Sequence, residues 1–181
     1  AGNDTIDGGA GNDTITFATA ASAVTVNIGN LGINVTGGAG SDSITNFENI
    51  IGSAFNDTLT GDGNSNLIEG GAGADLLTGG LGNDTASYAN SNSAVTVSLV
   101  SAAANTGGHA QGDTLSGFEN LTGSAFNDVL VGDGFINILD GGSGDDLLVG
   151  GAGADQLIGG LGSDTASYST TSTAVTANLT N

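Results

Sequence analysis

Aspartate recurs every nine residues along much of this chain, each time after a run rich in glycine. Residues 70–78 read GGAGADLLT and residues 79–87 read GGLGNDTAS, with Asp75 and Asp84 at the sixth position. Glycine adopts backbone conformations that other residues avoid, so such a turn can point several carbonyl oxygens to one side. Ca²⁺ takes about 6–8 oxygen ligands from carboxylates and carbonyls. The pattern therefore predicts calcium binding in the turns.

The candidate metal ligands are the sixth-position side chains and the carbonyl oxygens of the turn glycines. The side chains are those of Asp4, Asp13, Asp42, Asp57, Asn66, Asp75, Asp84, Asp113, Asp128, Asn137, Asp146, Asp155 and Asp164. The carbonyls are those of Gly71, Gly73, Gly80, Gly82, Gly142, Gly144, Gly151, Gly153, Gly160 and Gly162. The alternative at each position is an aspartate that caps backbone amides without metal. Asp42 and Asp113 lack a good neighbouring copy of the repeat.

Other carboxylates fall outside the sixth position, and five of them lie within or directly after the repeats. Asp62, Asp133 and Asp145 are interpreted as solvated turn residues. Glu69 and Asp140 lie at the ends of predicted strands, where we expect exposure to solvent.

Catalysis has little support in the chain. Glu48 and Glu119 recur in a Phe-Glu-Asn triplet, which favours a hydrogen-bonded structural role. His109, the only histidine, has no nucleophile beside it and is interpreted as a solvated loop residue. Paired carboxylates can hydrolyse glycosides, but here repetition alone places carboxylates throughout. We therefore expect that the chain is not an enzyme.

The charge balance excludes several partners. The chain has 19 acidic residues and no Lys or Arg, so its formal net charge is −19. No cationic side chain can neutralise phosphate, which argues against nucleic acid and anionic lipid. No apolar run reaches the roughly 18–20 residues of a membrane span, so we expect no membrane insertion. Every carboxylate must therefore be solvated, hydrogen-bonded or paired with a metal cation.

Each nonapeptide divides into a six-residue turn and a three-residue strand whose middle residue is usually large and apolar. Because side chains alternate between the two faces of a strand, the middle residues share one face. We expect this face to form the interior, with members Ile15, Ile44, Leu59, Leu77, Leu130, Leu148 and Leu157.

A longer repeat of 71 residues is superimposed on the short one. Residues 8–78 align with 79–149, a further nonapeptide occupies 150–158, and a partial third unit runs over 159–181. The prediction is a single solenoid over residues 1–181, cut from a longer array. The inserted nonapeptide should exchange the two sides of the solenoid in the third unit, where Ala174-Val175-Thr176 matches Ala23-Val24-Thr25.

The tandem nonapeptides resemble those of RTX (repeats-in-toxin) proteins, which are known as Ca²⁺-binding β-helix repeats. The resemblance implies an all-β fold, a parallel β-roll or β-helix with Ca²⁺-binding turns. It also implies coils of two nonapeptides, with ions between turns on the same side. The pairs carried over are Asp57 with Asp75, Asn66 with Asp84, Asp128 with Asp146, Asn137 with Asp155, and Asp146 with Asp164.

Some positions depart from the family pattern. Asn66 offers an oxygen without charge, so we expect a weaker site with Asp84. Phe55 and Phe126 occupy a usual glycine position, which changes the expected turn there. The stretches 17–51 and 88–122 lack good copies, so we expect their coils to be held by apolar packing alone. Residues 17–36 should form about one coil plus a bulge. The whole chain would form about ten coils and a rod about 50 Å long, at about 4.8 Å per coil.

The resemblance implies a protein exported unfolded that folds with calcium outside the cell. Carboxylates on adjacent coils repel without metal, so we expect folding to be coupled to calcium. The leading hypothesis is an extracellular structural solenoid: an extender, adhesin stalk, surface layer or filament unit. The alternative is a folding or secretion module attached to a secreted enzyme or toxin.

Two hypotheses concern the outer surface. Val129, Val131, Ile138, Leu147, Val149 and Ile158 point outward and could form one apolar face for self-association. Threonine pairs, Thr14 with Thr16 and Thr58 with Thr60, raise ice binding as a weaker alternative, although other strands break that ladder.

Overall fold

Short strands make up almost all the regular structure of this chain. The computed structural model describes residues 2–30, 35–37, 40–101 and 105–169. Besides one short 3₁₀ helix, Gly108–Ala110, the strands are β1 Thr5–Asp7, β2 Thr14–Thr16, β3 Val24–Asn27, β4 Val35–Gly37, β5 Ser43–Thr45, β6 Asn49–Ile51, β7 Thr58–Thr60, β8 Leu67–Glu69, β9 Leu76–Thr78, β10 Thr85–Ser87, β11 Thr96–Ser98, β12 Thr114–Ser116, β13 Asn120–Thr122, β14 Val129–Val131, β15 Ile138–Asp140, β16 Leu147–Val149, β17 Gln156–Ile158 and β18 Thr165–Ala166. No helix in these ranges is long and apolar enough to cross a bilayer.

The strands lie on two sides of a flat coil. Side A is one sheet of seven strands in the order β17-β15-β13-β10-β8-β6-β2, and side B comprises all the other strands, in three sheets. Between successive coils of the tandem repeats, strands pair in parallel with strands 18 residues further on, as Thr58 does with Leu76. Two strands per coil of two nonapeptides is the predicted parallel β-roll, so the fold prediction is confirmed.

The interior is one layer of apolar side chains between the two sides. It contains five of the predicted strand centres, Ile44, Leu59, Leu77, Leu130 and Leu148, all at most 2% exposed. Ile15 and Leu157 are partly buried and pack against this layer. Full burial of one such side chain stabilises the fold by about 1.5–3 kcal/mol. The prediction of the core is therefore confirmed.

The stretches without good repeats do not form full coils. β3 runs parallel beside β7 and pairs antiparallel with β4. Val35 in β4 then pairs antiparallel with Asp42, just before β5. We call the segment from β3 to β5 an excursion: its described strands β3, β4 and β5 all lie on side B, whereas β6 and β8 remain direct neighbours on side A. In the second long unit, β11 pairs with β14, and Thr96 pairs antiparallel with Thr106.

Two expectations about these stretches and one about the whole chain are therefore wrong. They add strands to one side and do not encircle the core, and backbone pairing holds them as well as apolar packing. The described part of side A has seven strands, so the stack falls short of ten coils. Its length is about 30 Å at about 4.8 Å per strand. An alternating segment can pair in either direction, so its pattern does not reveal the antiparallel excursion.

The third long unit exchanges sides. Its strand β18 pairs with β16 on side B, whereas the equivalent strands β2 and β10 lie on side A. This is the exchange that the inserted nonapeptide predicts. Ala174, Val175 and Thr176 lie outside the described residues.

The outward apolar residues do not share one face, contrary to the prediction. Val129, Val131, Leu147 and Val149 lie on β14 and β16 of side B, whereas Ile138 and Ile158 lie on β15 and β17 of side A. The threonine pairs are separated in the same way, since β2 is on side A and β7 on side B. Successive nonapeptides alternate sides, so neighbours in sequence do not build a common surface.

Candidate metal sites

The sixth-position residues form ladders along the two sides. In each step, a side-chain oxygen of one coil accepts a hydrogen bond from the backbone N–H of the equivalent residue in the preceding coil. Asp57 N donates to Asp75 Oδ1, and Asp128 N donates to Asp146 Oδ1, both at 2.8 Å. The other predicted pairs also meet, with N···O distances of 2.8 Å for Asn66 and Asp84, 3.0 Å for Asn137 and Asp155, and 3.1 Å for Asp146 and Asp164.

The ladders continue across the excursions. Asp4 N donates to Asp42 Oδ1 at 2.9 Å, and Asp75 N donates to Asp113 Oδ1 at 2.8 Å, although each pair is separated by 38 residues. The structure thus gives Asp42 and Asp113 the neighbours that their local sequence lacks.

Two glutamates take the place of aspartate on side A. Asp13 N donates to Glu48 Oε2, and Asp84 N donates to Glu119 Oε2, both at 2.8 Å. The expected hydrogen-bonded structural role of Glu48 and Glu119 agrees with these contacts, but their position in the ladder was missed. The signal available in the sequence was the Phe-Glu-Asn triplet at the same place in both long units.

Several ladder carboxylates keep one oxygen without a donor. Oδ2 is buried and has no hydrogen-bond partner in Asp13, Asp75, Asp84 and Asp146. The last three side chains are at most 2% exposed. An ionised oxygen in such a position is strongly unfavourable unless a cation compensates it. The chain has no Lys or Arg to supply one.

Burial also shifts the titration of these groups. Desolvation raises the pKa of Asp75 to about 7, and nearby Asp113 and Asp57 add to the rise. Desolvation likewise raises the pKa of Asp84 and of Asp146. A bound cation would favour the ionised forms and so oppose these shifts.

Carbonyl oxygens of each turn face glycines of the next coil. A Cβ atom on Gly71 would collide with the Ser53 carbonyl oxygen, and one on Gly73 would lie 2.7 Å from that of Phe55. Gly71 and Gly73 have φ values of +94° and +137°, which disfavour other residues. The same contacts join Gly80 to Asp62, Gly82 to Asn64, Gly142 to Ser124, Gly144 to Phe126, Gly151 to Asp133, Gly153 to Phe135, Gly160 to Gly142 and Gly162 to Gly144.

This donor set fits calcium. Among the described residues, no three carboxylate or imidazole side chains lie close enough together to hold a metal ion by themselves. A cation between turns must therefore take carbonyl oxygens together with one or two carboxylates. Ca²⁺ accepts such all-oxygen shells of flexible geometry, whereas Zn²⁺ favours nitrogen and sulfur ligands.

Two expectations of solvent exposure are wrong. Glu69 is only 4% exposed, and its Oε2 accepts a 2.9 Å hydrogen bond from Asn90 Nδ2. Burial raises the pKa of Glu69. His109 is half-buried, and its Nδ1 has no hydrogen-bond partner. Both line a cleft of about 320 Å³ with Asn90, because the second excursion covers the end of β8.

Of the other off-motif carboxylates, Asp62, Asp133 and Asp145 lie in turns as expected, whereas Asp140 ends strand β15 and is less exposed than expected. Asp145 is exposed, and Asp62, Asp133 and Asp140 are half-buried. Asp62 Oδ1 accepts from Asn64 N at 2.8 Å, and Asp140 Oδ1 accepts from Gly142 N at 3.1 Å.

A family model matches the regions with these turns. The RTX calcium-binding nonapeptide repeat matches in four copies, at residues 1–18, 51–86, 113–134 and 131–166, which together cover more than half of the chain. No curated protein matches the chain. The repeat is a structural, calcium-binding unit and not a catalytic one. The chain therefore belongs to the RTX calcium-binding nonapeptide repeat family, whose repeats bind multiple Ca²⁺ ions.

Proposed function

We propose that this chain is a calcium-dependent structural extender of a secreted, extracellular protein: an adhesin stalk, a surface layer or a filament unit. The observation that carries the proposal is the set of buried, donor-free oxygens of Asp75, Asp84 and Asp146 in a chain without Lys or Arg. Calcium supplies the missing positive charge, so the coils that contain these aspartates become stable only where calcium is abundant.

The repeated architecture supports an extender. Both long units contain an excursion onto side B, followed by glycine turns of the same sequence pattern. Each added unit therefore lengthens the stack without a new kind of core. Extracellular calcium modules work at about 10⁻⁴–10⁻³ M Ca²⁺, and RTX repeats are typical of secreted proteins. Both points support folding outside the cell.

We assign each ion to the aspartate of one coil and two carbonyl oxygens of the preceding turn. The sets are Asp75 with Ser53 and Phe55, Asp84 with Asp62 and Asn64, Asp146 with Ser124 and Phe126, Asp155 with Asp133 and Phe135, and Asp164 with Gly142 and Gly144. Asp113 is left out of these sets because both of its oxygens already have hydrogen-bond donors.

Lateral self-association is part of the proposal. Leu76 and Leu147 are exposed on side B, and Leu67 and Ile138 on side A. Each side therefore offers apolar outer residues to a second copy. Sedimentation in calcium tests this part, and a monomer at every concentration contradicts it without affecting calcium binding.

Circular dichroism and small-angle X-ray scattering in calcium and in chelator test the main proposal. We expect full β structure and an elongated particle in calcium, and loss of much of the β signal and of the elongated shape in chelator. Mg²⁺ is the matched control, because it demands a tighter octahedral shell and should not restore the fold. Equal β signal in calcium and chelator contradicts the proposal.

Single-molecule pulling separates the two structural roles. An extender should resist unfolding under load far better in calcium than in chelator. A chain that folds with calcium but unfolds at low force fits the alternative, a folding or secretion module.

A further inference from the structure

The nonapeptide turns are of two kinds. Open turns follow Gly-Gly-x-Gly-x-Asp and include residues 70–75, 79–84 and 141–146, in which Oδ2 of the sixth residue has no donor. Closed turns have a sixth-residue side chain that accepts a hydrogen bond from the second residue's N–H in the same turn. They are residues 52–57, 61–66, 123–128 and 132–137.

A serine closes one class of turn completely. Ser53 N donates to Asp57 Oδ2, and Ser53 Oγ donates to Asp57 Oδ1 at 2.8 Å. Val24 N, in the excursion, donates to the same Oδ1 at 2.8 Å. Ser124 makes the equivalent bonds to Asp128. Both oxygens of these buried carboxylates therefore have donors from the protein itself.

An asparagine closes the other class. Asp62 N donates to Asn66 Oδ1 at 2.8 Å, and Asn66 Nδ2 donates to the Glu48 carbonyl oxygen at 3.0 Å. Asn137 accepts from Asp133 N and donates to the Glu119 carbonyl oxygen, both at 2.8 Å. An aspartate could not donate to these carbonyls. The asparagine amide thus satisfies this position by hydrogen bonding, whereas a carboxylate there would need a cation.

The closed turns occur where no glycine turn precedes them. Each sixth-position side chain points back to the preceding coil, as Asp75 Oδ1 does to Asp57 N. Behind Asp57 lies Val24 of β3, and behind Asn66 lies Glu48. Neither belongs to a glycine turn, so the paired carbonyls of an ion site are absent there. The open turns 70–75, 79–84 and 141–146 come one coil later, where the closed turns supply those carbonyls.

We propose that coils 52–69 and 123–140 are calcium-independent templates on which the calcium-dependent coils 70–87 and 141–158 are built. The positioning residues that determine where calcium binding begins are Ser53, Ser124, Asn66 and Asn137. The asparagine amides donate to carbonyl oxygens of the preceding coil, so under this proposal Asn66 does not weaken the site of Asp84. The proposal rests on the proposed function only for the open turns.

Hydrogen exchange of the full chain in calcium and in chelator tests the proposal. We expect β7 and β14 to stay protected in chelator, while β9, β10, β16 and β17 lose protection. If β7 and β14 lose protection together with β9 and β10, the template proposal is overturned, and calcium dependence stands. If β9 and β10 stay protected in chelator, calcium dependence itself fails, and with it the distinction between the two kinds of coil.

Two double variants test the closing residues. Ser53→Ala with Ser124→Ala removes a donor from each buried aspartate, and Asn66→Asp with Asn137→Asp removes the amide donor. Each should speed chelator-state exchange of β7 and β14 about tenfold or more, since one unsatisfied buried group costs about 1–3 kcal/mol. Unchanged exchange overturns the assignment.

Two controls separate this effect from general unfolding. Ser163→Ala alters an exposed serine of the open turn 159–164 and should leave exchange of β7 and β14 unchanged. In calcium, the double variants should still protect β9 and β16. Loss of protection there as well would mean that the closing residues act on the whole fold, which overturns the template role.

Discussion

The Tyr88 hydroxyl donates a 3.0 Å hydrogen bond to Oδ2 of Asp113 inside the solenoid. Asp113 is 1% exposed, and its Oδ1 accepts from Asp75 N. Burial raises the pKa of Asp113 to about 6 and that of Tyr88 well above its ordinary value. Phe17 is the equivalent of Tyr88 in the first long unit and has no hydroxyl. The two long units therefore satisfy equivalent aspartates differently.

Replacing Tyr88 with phenylalanine should destabilise the chain. The variant leaves a buried carboxylate oxygen without its donor, which costs about 1–3 kcal/mol of unfolding free energy. Urea unfolding in calcium measures the change. In a double-mutant cycle with Asp113→Asn, the two substitutions should be non-additive, and strictly additive losses would show that the hydrogen bond contributes nothing.

Acid should stabilise the metal-free chain. The pKa of Asp75 is raised to about 7 and that of Asp113 to about 6, from an ordinary 3.8. Because the pKa of these two carboxyl groups is higher in the folded chain than in the unfolded chain, their protonation stabilises the fold. This contribution to the free energy of unfolding is full below the ordinary pKa and is lost as pH rises through about 6–7. In chelator, β signal should therefore rise as pH falls from 8 towards 4.5.

Calcium should reverse this dependence, because protons then compete with the metal for the carboxylates. Circular dichroism over the same pH range with and without calcium gives both curves. A metal-free chain that gains no structure on acidification would contradict the prediction.

Asp146 and its neighbour Asp145 offer a matched pair for calcium binding. Asp146→Asn should remove one ion and weaken apparent calcium affinity, because Oδ2 of Asp146 is buried without a donor. Asp145→Asn makes the same change of charge at an exposed residue and should leave the stoichiometry unchanged. Isothermal titration calorimetry counts the ions, and equal stoichiometry in both variants would count against Asp146 as a ligand.

A methyl group at Gly71 should be far less tolerated than one at Gly63. Gly71 has φ +94°, and a Cβ atom there would collide with the Ser53 carbonyl oxygen, whereas Gly63 faces open space. Left-handed backbone alone costs about 1–2 kcal/mol for alanine. Thermal unfolding in calcium should show a clear loss for Gly71→Ala and little change for Gly63→Ala. Equal effects would contradict the close approach of the two coils.

The regular part of the ladder could be predicted because its spacing is constant. Asp57 and Asp75 are 18 residues apart, which is one coil of two nonapeptides. Asp75 and Asp113 make the same contact across 38 residues. That spacing includes the excursion, and no local pattern specifies its path. The place of Glu48 and Glu119 in the ladder could not be predicted for the same reason, because both residues lie in a short turn outside the nonapeptide repeat.

The sequence alone determined the β-roll, the calcium chemistry and the buried layer. These features follow from glycine and aspartate at fixed spacing and from one apolar residue per strand, because they depend on contacts that recur with every nonapeptide. The tertiary structure decided which carboxylates lack donors. Asp57 and Asp75 have the same place in the repeat, yet Ser53 and Val24 satisfy the first, whereas Oδ2 of the second has no donor. The difference depends on which residues lie in the preceding coil. The long-range pairing of β3 with β7 places Val24 next to Asp57.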